Sequence, residues 1–246
     1  MPETIPTPGD TSWFIRDRFG LFIHWGLYSM AARHEWVRHW EEIDDETYDR
    51  KYFARFDPDL YDPVAWADAA AGAGMKYFVV TTKHHEGFCL WDSKLTDYKA
   101  PNTPAGRDLL RPMVDAFRER DLRVGFYHSL LDWHHPRYVH DRIHGPYRNR
   151  TDLDALNAGR NMAQYAEYLH GQVRELLTEF GHVDMMFFDF SYAHRGPAAR
   201  AGKTGRARSC SSSSAASSRT SSWPTGWTCP TAGTTARPSS PSRASG

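Results

Sequence analysis

Apolar positions along the first 196 residues fall into two rhythms. Residues 19–25, 76–82, 122–127 and 182–188 are short continuous apolar runs, the signature of strands buried on both faces. Between them the period lengthens. Residues 44–56 carry Tyr48, Tyr52, Phe53 and Phe56 near one helical face, and residues 107–120 read as another helix. Asp62 before Pro63 marks a helix start, a capping side chain ahead of proline at the first helical position. Gly72 and Gly74 end that Ala-rich helix. Residues 157–180 space Met162, Tyr165, Leu169, Val173, Leu176 and Phe180 by three or four, a long amphipathic helix. Strands alternating with helices predict an α/β fold, a parallel sheet covered by helices.

Such a sheet is either doubly wound or rolled into a barrel. No glycine-rich phosphate loop follows the first strand, which argues against the nucleotide-binding form. Polar residues follow the strands instead: His24 with Trp25, His84 with His85, Tyr127 with His128, and Asp189. Functional groups at the carboxyl ends of successive parallel strands are the layout of a (β/α)8 TIM barrel. Four strands are readable, so residues 1–196 are expected to form about four βα units, the N-terminal part of such a barrel.

Whole-chain composition conceals a break. The chain carries 30 basic and 30 acidic residues, a balance that argues against nucleic acid or an anionic membrane as partner. Residues 197–246, however, contain no Asp, Glu, His, Leu, Ile or Val and consist largely of Ser, Ala, Thr, Arg, Pro and Gly. Their six arginines and one lysine cancel an acidic body. A segment without aliphatic side chains cannot offset its ordering entropy, so this tail is expected to be disordered or aberrant. A basic arm for an acidic partner is the weaker reading, because the charge is thinly spread. Ser, Arg, Ala, Pro and Thr are what GC-rich coding DNA yields one nucleotide out of frame. With GC-rich synonymous codons, residues 208–240 shifted by one nucleotide can be read as a helical apolar period and then a β-like run, so the tail is expected to be out of frame. Three cysteines make neither a disulfide framework nor a metal cage. No run of about 18 apolar residues exists to span a membrane. The polar start lacks a basic-then-apolar leader, which predicts a cytoplasmic location.

Five motifs now line up in order: Phe19-Gly20-Leu21-Phe22-Ile23-His24-Trp25-Gly26; His34-Glu35-Trp36; Lys83-His84-His85-Glu86-Gly87-Phe88; Gly125-Phe126-Tyr127-His128-Ser129 with Asp132-Trp133; and Met186-Phe187-Phe188-Asp189. Together they resemble the α-L-fucosidases of glycoside hydrolase family 29. The resemblance implies removal of a terminal α-L-fucosyl unit from a fucosylated oligosaccharide or glycoconjugate, with retention of configuration and without a cofactor. Asp189 is then the nucleophile that forms a covalent fucosyl-enzyme, and a second carboxyl group about 5–5.5 Å away serves as acid and base. The resemblance places that glutamate past the fourth strand, where residues 197–246 hold no carboxylate, so the acid/base is expected to be absent. His24, Trp25, Glu35, Trp36, His84, His85, Tyr127 and Trp133 are implied as substrate-binding residues.

Each assignment has a plainer rival. Asp189 could cap a following helix, His24 could be a hydrogen-bonded core histidine, and Glu35 a solvated loop residue. Adjacent His84 and His85 would point to opposite faces if both stayed in the strand. Tyr127 and Trp133 could be packing residues, and Glu86 is expected to orient a neighbouring histidine. Two other functions compete with an active fucosidase. One is an inactive, truncated remnant that binds fucose weakly at most. The other is a metal-dependent barrel hydrolase, disfavoured because no His-x-His follows the first strand.

Overall fold

Residues 10–190 are described by the computed structural model; the tail over 197–246 lies outside the described residues. Four strands pair in chain order, all parallel: β1 (Gly20–Ile23), β2 (Tyr77–Lys83), β3 (Arg123–Ser129) and β4 (Met185–Asp189). Seven helices accompany them: α1 (Ser12–Asp17), α2 (Val37–Trp40), α3 (Asp45–Lys51), α4 (Pro63–Gly72), α5 (Leu110–Arg118), α6 (Leu153–Leu156) and α7 (Met162–Glu179). Of these, α4, α5 and α7 occupy the three crossovers between successive strands. Among the described residues no helix is long and apolar enough to cross a membrane.

Capping chemistry sets the element ends, and several lie inside the expected ranges. Asp62 accepts from Ala65 N at 2.9 Å and starts α4 as its sequence implies. That helix closes with Gly74 N donating to Ala71 O and Met75 N to Ala70 O, with Gly74 at φ +84°, a left-handed stop. The helix expected over 157–180 begins only at Met162, because the Asn161 side chain accepts from Ala163 N and Gln164 N. The helix expected over 44–56 gives way after Lys51 to a 3₁₀ turn, Phe53–Arg55. The fourth strand starts at Met185 rather than residue 182, since Asp184 spends its carboxylate on Val124 N at 2.9 Å.

The helices cover one face of the sheet. Phe78 and Val80 of β2 and Val124 and Phe126 of β3 join a core with Ala67 and Ala70 of α4, Met113 and Phe117 of α5, and Leu176 of α7. Period-two alternation turns Phe22, Tyr127 and Phe187 to the other face. There the outer strands are open: Phe22 is 44% exposed and Phe187 45%, which corrects the expectation that every strand is buried on both sides. The sheet is also strongly curled. Neighbouring strands lie about 4.8 Å apart, so β1 and β4 would be separated by about 14 Å in a flat sheet. Their rings nevertheless meet, Phe22 and Phe187 having centroids 6.0 Å apart and both contacting Tyr127.

A buried ion pair pins the loops at the carboxyl end. Lys83, at the end of β2, is fully buried, with Nζ 3.2 Å from Asp132 Oδ2 and donating to Tyr165 Oη of α7 at 3.3 Å. Asp132 Oδ1 accepts from His134 N and His135 N, fixing the turn after β3. Gly87 sits at φ +89° against that carboxylate, and a Cβ there would lie 2.3 Å from Asp132 Oδ1. Glycine in this motif is therefore required by both backbone and space.

Two predictions follow from this burial. Removing one member of a buried ion pair strands the other charge, so Asp132→Ala is expected to cost about 3–5 kcal/mol, with Lys83→Met in the same range; urea unfolding checks this, and a change below about 1 kcal/mol contradicts it. Burial also lowers His140 to about 3 and His39 to about 4, and holds His128 well below the ordinary histidine value. The unfolded chain binds these protons near pH 6.5 while the folded chain refuses them. Stability present above pH 6.5 is therefore lost progressively as pH falls towards 3. The urea midpoint should drop between pH 6.5 and 4; an unchanged midpoint contradicts the reading.

Candidate active site

Strand register gathers the polar groups. β3 and β4 pair with Tyr127 opposite Phe187 and Ser129 opposite Asp189. Positions two apart share a face, so Tyr127, Ser129 and Asp189 all turn away from the helices. Tyr127 Oη donates to Asp189 Oδ2 at 2.6 Å, while Asp189 Oδ1 accepts from Phe190 N at 2.8 Å. Both carboxylate oxygens are thus held, yet the side chain remains 27% exposed at the mouth of the curled sheet. Burial, and then the Asp189 charge, push the Tyr127 phenol far up, so it stays a proton donor.

His84 and His85 lie just beyond the end of β2. Gly87 N donates to His84 O in the turn that follows, and the two imidazoles end 4.0 Å apart. Both have left the strand, which ends at Lys83, so strict alternation does not separate them. His85 is fully buried, with Nε2 3.6 Å from Asp189 Oδ2 and Nδ1 2.7 Å from Ser129 Oγ. Burial, reinforced by neighbouring His84, lowers its pKa well below the ordinary value, so the ring is neutral near pH 7. His84 Nδ1 lies 3.3 Å from Glu86 Oε2, the neighbour expected to orient it.

His24 follows β1 with an exposed ring, stacked on Phe22 and 5.2 Å from Tyr127. Desolvation, and then His84, lower its pKa. Trp36 and Trp133 wall the other side of His85, with centroids 4.9 and 5.3 Å from it. Trp133 N also donates to His85 O at 2.8 Å. Glu35, partly exposed, lies 3.5 Å from His34 and close enough to raise the pKa of His24.

Trp25 is not part of this cluster. Its ring stacks on Tyr61 at 4.9 Å and meets Phe56 and Trp66, so it belongs to the core under the loops. The structure adds residues without an assigned role in the sequence reading. Ser129 touches His85, and Phe190 lies 4.8 Å from that ring and 5.6 Å from Trp36. Ser129 was legible in principle, standing two positions after Tyr127 in one strand. Phe190 was not, because its left-handed turn at φ +63° has no signal in a phenylalanine.

Among the described residues, no three His, Cys, Asp or Glu side chains are arranged to hold a metal ion. What the arrangement offers is a fixed carboxylate, a phenol, neutral imidazoles and indole walls. Those groups suit a polyhydroxylated ligand whose hydroxyls need both donors and acceptors.

The α-L-fucosidase family model matches residues 7–231. Human tissue α-L-fucosidase is 39% identical over 150 residues, 54% of this chain and 32% of that protein. The chain thus spans about a third of the length of the curated relatives it matches. Among solved structures, α-L-fucosidase isoenzyme 1 from Paenibacillus thiaminolyticus superposes with TM-score 0.70 at 57% identity, covering 74% of this chain and 42% of that one. A family 29 α-L-fucosidase from Bacteroides thetaiotaomicron, trapped as a covalent intermediate with 2-fluoro-fucosyl fluoride, gives TM-score 0.64 at 32% identity over 76% of this chain and 43% of its own. From its ordered strand-end motifs to its parallel sheet, this chain belongs to the α-L-fucosidase family.

Proposed function

We propose that the described residues are the first half of a (β/α)8 barrel that binds a terminal α-L-fucosyl unit and carries the nucleophile of a retaining hydrolase. The observation that carries this reading is Asp189: a carboxylate at the end of β4, oriented by Tyr127 Oη at 2.6 Å, facing His85 beneath indole walls. The covalent intermediate trapped in the Bacteroides relative supports retention. One Asp189 oxygen attacks the anomeric carbon, the bond to the leaving oxygen breaks, and water later hydrolyses the resulting ester. His24, His84, His85 and Tyr127 hold sugar hydroxyls in this reading, with Trp36 and Trp133 against apolar sugar faces and Glu35 at the rim. The second carboxylate, which protonates the leaving oxygen, has no counterpart in residues 197–246, which contain no Asp or Glu. The chain therefore carries half of the two-carboxylate machinery. We also propose that residues 197–246 are read out of frame, which the nucleotide sequence of the gene checks directly: an uninterrupted family frame that encodes this tail contradicts it.

This division predicts different fates for different substrates. Fluoride leaves without a proton donor, so 2-fluoro-fucosyl fluoride needs only the nucleophile. Incubated with it, the chain should gain one 2-fluoro-fucosyl mass on the peptide bearing Asp189, and Asp189→Asn should gain none. Fucose binding without any adduct would favour the inactive-remnant reading instead. Natural fucosides, whose leaving oxygen needs protonation, should turn over very slowly, and rates near those of intact relatives would contradict the missing acid/base. Tyr127→Phe removes a hydrogen bond to a charged group, a loss of about 1.5–3 kcal/mol, and should slow adduct formation by about 10- to 100-fold.

A further inference from the structure

One buried hydroxyl at the site has three polar neighbours among which its hydrogen-bond roles divide. Ser129 Oγ carries a single hydrogen, which it donates to Leu131 O at 2.8 Å, a carbonyl that can only accept. The same oxygen accepts from Leu131 N at 3.0 Å. Its remaining contact, His85 Nδ1 at 2.7 Å, must then be a bond in which the imidazole donates. A neutral imidazole has one N–H, so protonated Nδ1 leaves Nε2 as a bare acceptor. His85 Nε2 is buried, has no hydrogen-bond partner among the described residues, and lies 3.6 Å from Asp189 Oδ2, beyond hydrogen-bond length. Two acceptors that face one another in this way call for a donor supplied by the ligand.

We propose that Ser129 is a positioning residue that fixes His85 in its Nδ1–H tautomer, so that Nε2 receives a ligand hydroxyl beside Asp189. In the opposite tautomer His85 would donate from Nε2 towards Asp189 and offer the sugar no acceptor. Ser129 thus selects a hydroxyl, and excludes a carbonyl or carboxylate oxygen, at this point of the pocket. Buried Ser129 acts from behind the ring and touches no ligand itself. The proposal rests on the fucoside-binding reading only for the identity of the hydroxyl; the tautomer belongs to the free protein.

Nitrogen-15 NMR of the full chain labelled at histidine reads the tautomer, with the His85 signals assigned from their loss in His85→Gln. The wild-type chain should show a protonated Nδ1 and an unprotonated Nε2. Ser129→Ala should move His85 to the Nε2–H form or a mixture, and Ser129→Thr, which keeps the hydroxyl, should retain the wild-type pattern. An Nε2–H tautomer in the wild-type chain overturns the proposal even if Ser129→Ala fails to fold, and so does an unchanged pattern in a folded Ser129→Ala. Titration with L-fucose separates the two readings: a shift confined to Nε2, with affinity about tenfold weaker in Ser129→Ala, supports both. A wild-type Nδ1–H tautomer that ignores L-fucose would refute the binding reading and leave the role of Ser129 standing.

Discussion

The parallel pairing of β3 with β4 is the constraint on which the site depends. Setting Ser129 opposite Asp189 and Tyr127 opposite Phe187 puts three polar side chains, Tyr127, Ser129 and Asp189, on one face within two rungs of the ladder. A slip of one residue would turn Asp189 into the helix-packed core. The curl of the sheet then does what pairing alone cannot, bringing β1 to the same place. Phe22 reaches Phe187 across the concave face, and His24 comes within ring contact of Tyr127 and His84. Helices packed on one face of this parallel sheet support the proposed barrel over a doubly wound sheet, whose helices cover both faces.

Beneath that arrangement lies a second layer of polar order. Lys83 and Asp132 tie the end of β2 to the turn after β3, and Gly87 lets the backbone pass against the carboxylate. The residues immediately after Lys83 are His84 and His85, so the ion pair anchors the segment that presents the imidazoles. Stability and site geometry are therefore coupled through one buried charge pair. Neutral histidines complete the logic: burial keeps His85 uncharged, which leaves its ring nitrogens with distinct roles.

Much of this was legible in the sequence because its signals are local. Asp62-Pro63 and Gly74 mark the ends of α4 as their capping chemistry demands, and the strand-end residues His24, His84, His85, Tyr127 and Asp189 do converge. Misreadings came from tertiary context. Trp25 follows His24 directly, but beyond the end of β1 its indole is claimed by Tyr61 and Trp66. The histidine pair was expected to diverge only if both residues stayed in the strand, and β2 ends at Lys83, just before them. The openness of β1 and β4 was equally hidden, since phenylalanine reads as buried whether it faces helices or an open concave surface. Ser129 stood in a quoted motif without an assigned role: its strand position was readable, but its contact with His85 belongs to the three-dimensional structure.

The central claim is that the strand ends form a fucoside site centred on Asp189. A crystal structure of the chain with L-fucose bound tests it most directly. The sugar should lie within the cluster of His24, His85 and Tyr127, with an Asp189 carboxylate oxygen about 3–3.5 Å from the anomeric carbon, the separation expected before attack. Fucose bound elsewhere, or oriented with its anomeric carbon turned away from Asp189, would contradict it.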